Sequence, residues 1–244
     1  MREYPRGWVG STGKGLVMIV RRQVCAAAAA ATALGSLLGC PANGSSSQDA
    51  PIAPFSEASL ILEHNATDGD AEIVAFVKGG DEGLARLRVF APDNTLVMDV
   101  ATQEEVVGLR EFMVESAEPG MAELVGAYPA GSYRVEGVTI SGKALRSTVI
   151  LSHELPSRPT LEVDPAGKTI AWSSVQGATG ISIELELEVD GEDVMKLTMD
   201  LPLSAKSFAI PEAFRRAGDY QVGLAVTGSN GNVVVVEKEF AIEP

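Results

Sequence analysis

Histidine and cysteine are scarce in this sequence, with two of each among 244 residues. Neither His64 nor His153 has a second histidine or a cysteine at ligand spacing, so a zinc site is not expected. Ser152 and His153 are neighbours on a predicted strand and point to opposite faces, which excludes them as a nucleophile and its base. The sequence predicts a structural role for His153 and a solvated position for His64.

Basic residues are also few, 19 lysines and arginines against 33 aspartates and glutamates, which gives a formal net charge of −14. The first 39 residues hold five basic residues and one acidic residue, a net of +4, so the remaining 205 residues carry −18. Such a surface repels phosphate backbones and anionic headgroups, and therefore argues against nucleic-acid binding. It suits solubility and divalent cations. The sequence contains no glycine-rich phosphate loop, nucleophile elbow or basic aromatic patch.

A long hydrophobic run is absent too, because the apolar segment Val24–Leu34 is too short to cross a bilayer as a permanent helix. It follows two arginines and precedes Leu37-Leu38-Gly39-Cys40. This order of charge, apolar run, small residue and cysteine resembles the lipobox signal of bacterial lipoproteins. The resemblance implies removal of residues 1–39 and a lipid attached to Cys40. The alternatives are an ordinary secretory signal with a chance cysteine and a weaker similarity to a twin-arginine export signal.

Residues 40–55 are predicted to be the lipidated N-terminus and a flexible tether, because they are rich in serine, proline, glycine and alanine. No aspartate follows Cys40 directly, which by analogy with known lipoproteins favours the outer membrane over the inner one. The other cysteine, Cys25, falls in the segment predicted to be removed. The mature protein is therefore expected to lack disulfides and to depend on packing for its stability.

Alternating hydrophobic and polar residues dominate the chain from Ala58 onward. The clearest case is Ile181–Val189, ISIELELEV, in which every second residue is aliphatic, as on a half-buried strand. Short strands of this kind recur at regular spacing with turn residues between them. Only two short segments, Thr102–Glu105 and Pro211–Arg216, have helical features. The pattern predicts an all-β fold made of sandwiches or barrels.

One six-residue pattern occurs twice, 87 residues apart, as AGSYRV at Ala130–Val135 and AGDYQV at Ala217–Val222. The offset is the size of one seven-stranded sandwich, in which a tyrosine near the start of the penultimate strand bonds to the backbone of the preceding corner. Tyr133 and Tyr220 are therefore predicted to be two tyrosine corners, one in each of two domains. Each is expected to stabilise its own domain.

Residues 157–244 resemble a fibronectin type III module, because Thr169–Trp172 places a tryptophan on the second strand and Tyr220 begins the alternating penultimate strand. The segment departs from that family in having Ala-Gly-Asp before the tyrosine. Residues 56–156 lack tryptophan and are assigned to an immunoglobulin-like sandwich by analogy. Stretches such as EHNATDGDAE are similar to an uncharacterised family of secreted bacterial proteins. The predicted architecture is two tandem immunoglobulin-like or fibronectin type III-like β-sandwiches.

The strongest candidate binding site is the run Asn65–Glu72, NATDGDAE, which spaces oxygen ligands around a glycine as calcium requires. Asp68, Asp70 and Glu72 are the predicted ligands, and no other cofactor is expected. The EF-hand pattern fails, because the twelfth position from Asp68 is Gly79 instead of glutamate. A polar hairpin turn explains the same residues.

A second acidic row, Glu184, Glu186 and Glu188, shares one face of a predicted strand. Paired acids catalyse glycoside hydrolysis, but they sit in a cleft and usually come from separate elements. We interpret this row as a solvated face that discourages pairing at a sheet edge.

These features predict a lipid-anchored cell-envelope protein with a non-catalytic binding, adhesive or structural role. Its expected partners are the membrane, through the lipid, and an unknown protein or glycan ligand. One alternative is a carbohydrate-binding accessory lipoprotein, which needs an exposed aromatic platform; Tyr128 is the candidate, because Trp172 is expected in the core. The other is a hydrolase that uses acidic residues, and a pocket lined by two facing carboxylates would favour it.

Overall fold

In the computed structural model the described residues are 52–102, 108–164, 166, 168–189 and 192–243. Nearly all the regular structure in them is β-strand, as the sequence predicts. In chain order the strands are β1 Glu57–Asn65, β2 Ala71–Lys78, β3 Leu84–Phe90, β4 Leu96–Ala101, β5 Glu111–Glu115, β6 Gly131–Thr139, β7 Ala144–Leu151, β8 Leu161–Val163, β9 Thr169–Trp172, β10 Ala178–Val189, β11 Glu192–Leu201, β12 Ser207–Ala209, β13 Gly218–Gly228 and β14 Val233–Ile242. The helix α1 spans Met121–Ala127, and a 3₁₀ turn spans Glu212–Phe214.

The two halves of the chain follow one strand plan. In the first half β4-β3-β6-β7 form one layer, and β1-β2-β5 lie side by side in the other. In the second half β11-β10-β13-β14 lie side by side, and β12-β9-β8 form the opposite layer. Each strand of the first half therefore has its counterpart seven strands later. Both halves are β-sandwiches of the fibronectin type III and immunoglobulin-like kind.

A shared sheet joins the two halves. Strand β1 of the first half pairs in parallel with β14 of the second, with Glu63 opposite Val233 and Asn65 opposite Val235. The result is a continuous seven-stranded sheet in the order β11-β10-β13-β14-β1-β2-β5. The sequence did not predict this connection. The division of the chain into residues 56–156 and 157–244 remains a prediction.

Each half has its own hydrophobic core. The first core includes Leu62 and Leu87, and the second includes Ile183, Leu224 and Trp172. Trp172 is 6% exposed, which confirms the prediction that it belongs to the core. Because side chains alternate along strands in register, both cores lie on the same face of the seven-stranded sheet.

The opposite face of the seven-stranded sheet is apolar at the joint. Ala225, Val233 and Val235 are at most 1% exposed there, and Ile61 of β1 packs against them. This third cluster combines residues from both halves. It therefore adds apolar burial to the backbone hydrogen bonds that connect β1 with β14.

Asn232 fixes the joint with its side chain, which is 1% exposed. Its Oδ1 accepts a hydrogen bond from the backbone N–H of Leu62 at 2.9 Å. Its Nδ2 donates to the carbonyl oxygens of Ser152 at 2.7 Å and Glu154 at 2.9 Å. One buried amide thus ties β1 and the connection between the halves to the start of β14. Leaving such groups unpaired is costly, so this network holds the halves in one arrangement.

Both predicted tyrosine corners are confirmed. The Tyr133 hydroxyl donates to the carbonyl oxygen of Pro129 at 3.0 Å, and the Tyr220 hydroxyl donates to that of Arg216 at 3.0 Å. Both side chains are buried. The glycine two residues before each tyrosine has a φ of about +150°, a conformation that favours glycine, and this explains why the Ala-Gly-x-Tyr pattern recurs.

The helical segments agree only in part with the sequence. The 3₁₀ turn Glu212–Phe214 lies inside the predicted segment Pro211–Arg216. The other predicted segment, Thr102–Glu105, falls mostly outside the described residues. Helix α1 was missed, because a seven-residue helix with one buried side chain, Leu124, has too short an apolar stripe to be recognised.

Candidate functional site

A small acidic cavity lies where β1, β2 and β14 meet, on the face of the seven-stranded sheet away from the two cores. Its volume is about 20 Å³, enough for one water molecule or one metal ion. The cavity is lined by Glu63, Asn65, Asp70, Glu72, Glu118 and Val235. Its lining therefore draws on both halves of the chain.

The register between β1 and β2 places Glu63 directly opposite Glu72. Leu62 and Ile73 point into the first core, so their neighbours Glu63 and Glu72 must point to the other face. Directly opposed residues on antiparallel strands have Cβ atoms roughly 5 Å apart. Glu63 is 8% exposed and Glu72 is 7% exposed, so two carboxylates face each other with little access to water.

Burial and repulsion by neighbouring carboxylates raise the pKa of both carboxyl groups. Burial, followed by the charges of Glu72, Glu115, Glu118 and Glu237, raises the pKa of Glu63 from 4.5 to about 8. Burial, followed by the charges of Glu115, Glu118 and Asp70, raises the pKa of Glu72 to about 7. Without a bound cation, this pair therefore holds protons near neutral pH.

The loop between β1 and β2 is a hydrogen-bonded turn. Asn65 Oδ1 accepts the backbone N–H of Thr67 at 2.9 Å, and Gly69 has a φ of +87°. Asn65 Nδ2 donates to the carboxylates of Asp68 at 3.1 Å and of Glu237 on β14 at 2.9 Å. The turn that the sequence offered as an alternative is therefore present, and it also links β1 to the second half.

The structure separates the three predicted calcium ligands. Asp70 and Glu72 line the cavity, whereas Asp68 is hydrogen-bonded to Asn65. Among the described residues no group of three histidine, cysteine, aspartate or glutamate side chains is arranged to hold a metal ion. Calcium binding by this set remains a prediction.

Sequence reasoning missed Glu63 and Glu118 as residues of this site. The sequence does mark Glu63, because this charged residue in the strand segment LILEHN lies on the same strand face as the apolar Ile61. Glu118 gave none, since it follows β5 in an irregular segment and reaches the cavity only through tertiary folding.

The acidic row on β10 is not the solvated edge that the sequence predicted. Strand β10 lies between β11 and β13, so it has no free edge. The Glu184 side chain is 2% exposed, and it accepts hydrogen bonds from Lys196 Nζ at 2.7 Å and Thr198 Oγ1 at 2.9 Å. Lys196 also reaches Glu186 at 2.7 Å. Partners on β11 make the burial of Glu184 tolerable.

The histidines have backbone partners. His153 Nε2 lies 2.8 Å from the carbonyl oxygen of Tyr128, which confirms a structural role. His64 Nδ1 lies 2.8 Å from the carbonyl oxygen of Asp70, and the residue is half-buried, so the predicted solvated position holds only in part. The tight β1–β2 turn brings that carbonyl within hydrogen-bond distance of the imidazole.

Exposed aromatic rings are absent from the part of the chain that the structure describes. Tyr128, the candidate platform residue, is half-buried and packs against the first core. Cys40 and the rest of the predicted leader and tether lie outside the described residues. No helix among the described residues is long and apolar enough to cross a membrane.

No family model matches the chain, and no curated protein matches it. Among solved structures, the FN1–FN3 domains of chicken CNTN1 match at 11% identity and a TM-score of 0.36, over 80% of this chain and 65% of that one. Tp47, the 47-kilodalton lipoprotein of Treponema pallidum, matches at 13% identity and a TM-score of 0.40, over 79% and 52%. A tetra-tandem repeat from the extending region of a large adhesion protein matches at 12% identity and a TM-score of 0.28, over 77% and 50%.

The chain thus spans about half to two thirds of the solved structures that it matches. The strand order of the two halves, rather than these low scores, establishes the β-sandwich class.

Proposed function

We propose that this protein is a non-catalytic cell-envelope protein, a stiff body of two sandwiches carried on a lipid at Cys40, with a structural or adhesive role. The continuous seven-stranded sheet is the observation that supports the stiff body. Two domains joined by a flexible linker do not require a buried, hydrogen-bonded joint. A spacer that holds a surface at a fixed distance and angle does require one.

Four contacts oppose bending at the joint. The parallel β1–β14 pair supplies backbone hydrogen bonds, the Asn232 amide bridges β1 to the connection between the halves, and Thr67 bonds to the backbone of Glu237. The apolar cluster around Val235 fills the opposite face of the sheet. Rotation of one half against the other would break buried hydrogen bonds that no water could replace at once.

The lipid anchor is supported by the sequence of residues 21–40, in which two arginines, an apolar run and Leu-Leu-Gly precede Cys40. With about three acyl chains at ~0.8 kcal/mol per buried CH₂, anchoring would be permanent on a cellular timescale. The tether of residues 40–55 would lift the body from the bilayer. The net charge of −18 on residues 40–244 would keep the body off an anionic surface.

One observation supports the hydrolase alternative, because Glu63 and Glu72 are neighbouring carboxylates that line one cavity. The cavity, however, is far smaller than the roughly 300–1,000 Å³ of typical small-molecule sites. The two groups also project side by side from one sheet face, whereas glycosidase acids flank the bond that they cleave. The carbohydrate-binding alternative gains none, because Tyr128 is half-buried.

Cell fractionation with Cys40→Ser tests the lipid anchor. Wild-type protein should sediment with membranes, and its mass should show an acylated N-terminal cysteine, whereas Cys40→Ser should move to the soluble fraction. Cys25→Ser is the matched control, since Cys25 falls in the predicted leader and its loss should leave the protein on the membrane. A soluble wild-type protein with an unmodified Cys40 would rule the anchor out.

A further inference from the structure

Glu63 and Glu72 share an unusual environment. Both are more than nine-tenths buried and line the same cavity, and among the described residues no hydrogen-bond donor or cation contacts either carboxylate. A buried carboxylate without a donor or a positive partner is strongly disfavoured, and two of them face to face are more so. A fold that keeps such a pair at the joint between its halves must neutralise its charge, either with protons or with a bound cation.

The groups around the pair are also acidic. Asp70 and Glu118 line the cavity, and the further carboxylates whose charge acts on Glu63 are Glu115 on β5 and Glu237 on β14. Among the described residues, the charges that shift the pKa of Glu63 and Glu72 all belong to carboxylates. The negative potential therefore comes from β1, β2, β5, β14 and the segment after β5, and it converges on one small space.

The geometry points to a calcium-binding site between the carboxylates of Glu63 and Glu72, with Asp70 and Glu118 lining the rest of the cavity. The donors are all oxygen atoms, which hard divalent cations prefer over zinc or copper. A space of about 20 Å³ holds one ion. Calcium accepts irregular oxygen geometry, while magnesium demands a near-ideal octahedron, so a strand-borne pair suits calcium better.

This set differs from the ligands that the sequence predicted, because Glu63 takes the place of Asp68. No three acidic side chains among the described residues converge as a preformed metal centre. Two buried carboxylates would thus be the main protein ligands, and water would complete the coordination shell. Such a site belongs in the weak range of extracellular modules, with a Kd of roughly 0.1–1 mM.

Protons compete with calcium for this pair. At neutral pH the pKa of about 8 leaves Glu63 largely protonated, and Glu72, at about 7, is partly so. Calcium must displace these protons, so binding should tighten as the pH rises towards 8. Binding would stabilise the joint, because the cavity includes Val235 of β14.

Thermal unfolding of chelator-treated, full-length protein at pH 7.5 tests the site. Calcium at about 10 mM, a tenfold excess over a millimolar Kd, should raise the Tm by about 3–6 °C. Glu63→Gln and Glu72→Gln keep the side-chain shape and remove the charge, so each should raise the calcium-free Tm and abolish the calcium shift. Glu111→Gln, an exposed acid on β5 outside the cavity, is the matched control and should keep the full shift.

Other outcomes would overturn the site. These are no shift with wild-type protein, an undiminished shift in Glu63→Gln and Glu72→Gln, or an equal shift with magnesium, which would indicate charge screening. Calorimetry of calcium binding to wild-type protein gives a second readout that needs no variant. Binding of one calcium per chain supports the site, and the absence of measurable binding at millimolar calcium contradicts it.

Discussion

The two halves of the molecule bury acid on the same sheet face in opposite ways. In the second half Glu184 is buried against Lys196 and Thr198, which neutralise its charge and satisfy its oxygens. In the first half Glu63 and Glu72 are buried against each other, and their neighbours are acidic. One strand plan therefore carries both a completed ion pair and, among the described residues, a pair of carboxylates without a positive partner. The first is structural, and the second is the pair at which we propose that calcium binds.

The largest expected effect of the buried acids in the first half is on the pH dependence of the free energy of unfolding. Since the pKa of Glu63 rises from 4.5 to about 8 on folding, the native state holds a proton that the unfolded chain releases, and stability falls as the pH rises through that interval. The loss attributable to Glu63 is about 4 kcal/mol at most. Denaturant unfolding in chelator from pH 5 to pH 8.5 measures it.

Glu63→Gln should flatten this pH profile, whereas Glu111→Gln should leave it unchanged. A wild-type protein that becomes more stable between pH 5 and pH 8 in the absence of calcium would contradict a buried, repelling pair.

Removal of the Lys196 charge should leave the second half, like the first, with a buried carboxylate that lacks a positive partner. Lys196→Met keeps the aliphatic stem but leaves Glu184 buried with only Thr198 as a polar partner. Since Lys196 is half exposed, we expect a loss of about 2 kcal/mol at pH 7 in denaturant unfolding. The exposed Lys206→Met is a control that should cost little. A loss no larger than that of the control would show that the charge of Lys196 does not support the burial of Glu184.

The two tyrosine corners should differ in strength. The Tyr220 hydroxyl donates to the Arg216 carbonyl and also accepts the Arg216 N–H at 3.1 Å, whereas Tyr133 has only the bond to Pro129. Tyr220→Phe should therefore cost about 2 kcal/mol and Tyr133→Phe about 1 kcal/mol in denaturant unfolding followed by circular dichroism. Equal losses would mean that the second Tyr220 bond contributes nothing.

Local patterns in the sequence predicted most of the fold. Alternation predicted an all-β fold and the strand Ile181–Val189, which lies within β10, and the Ala-Gly-x-Tyr repeat located both corners, because each depends on residues a few positions apart. The same local signal misplaced Glu184, since alternation indicates which face a side chain occupies and does not indicate what lies beside it. Its partners Lys196 and Thr198 sit on a neighbouring strand.

Local sequence patterns could not predict the joint between the halves or the complete set of cavity residues. The β1–β14 pair and the Leu62–Asn232 hydrogen bond connect residues about 170 positions apart, and no local pattern specifies such a pairing. The calcium prediction found Asp70 and Glu72 because they share one turn. It missed Glu63, which becomes their neighbour only through the register of β1 with β2.

The sequence led us to expect that each tyrosine corner stabilises its own domain alone, but the shared sheet predicts that the halves are coupled. Trp172 reports on the second half, and it is the only tryptophan of residues 40–244. In protein that starts at residue 40, Tyr133→Phe in the first half should lower the denaturant midpoint read by Trp172 fluorescence. Asn232→Ala, which removes the amide at the joint, should weaken this effect. A Trp172 midpoint unchanged by Tyr133→Phe, beside a separate earlier transition in circular dichroism, would contradict the coupled sheet.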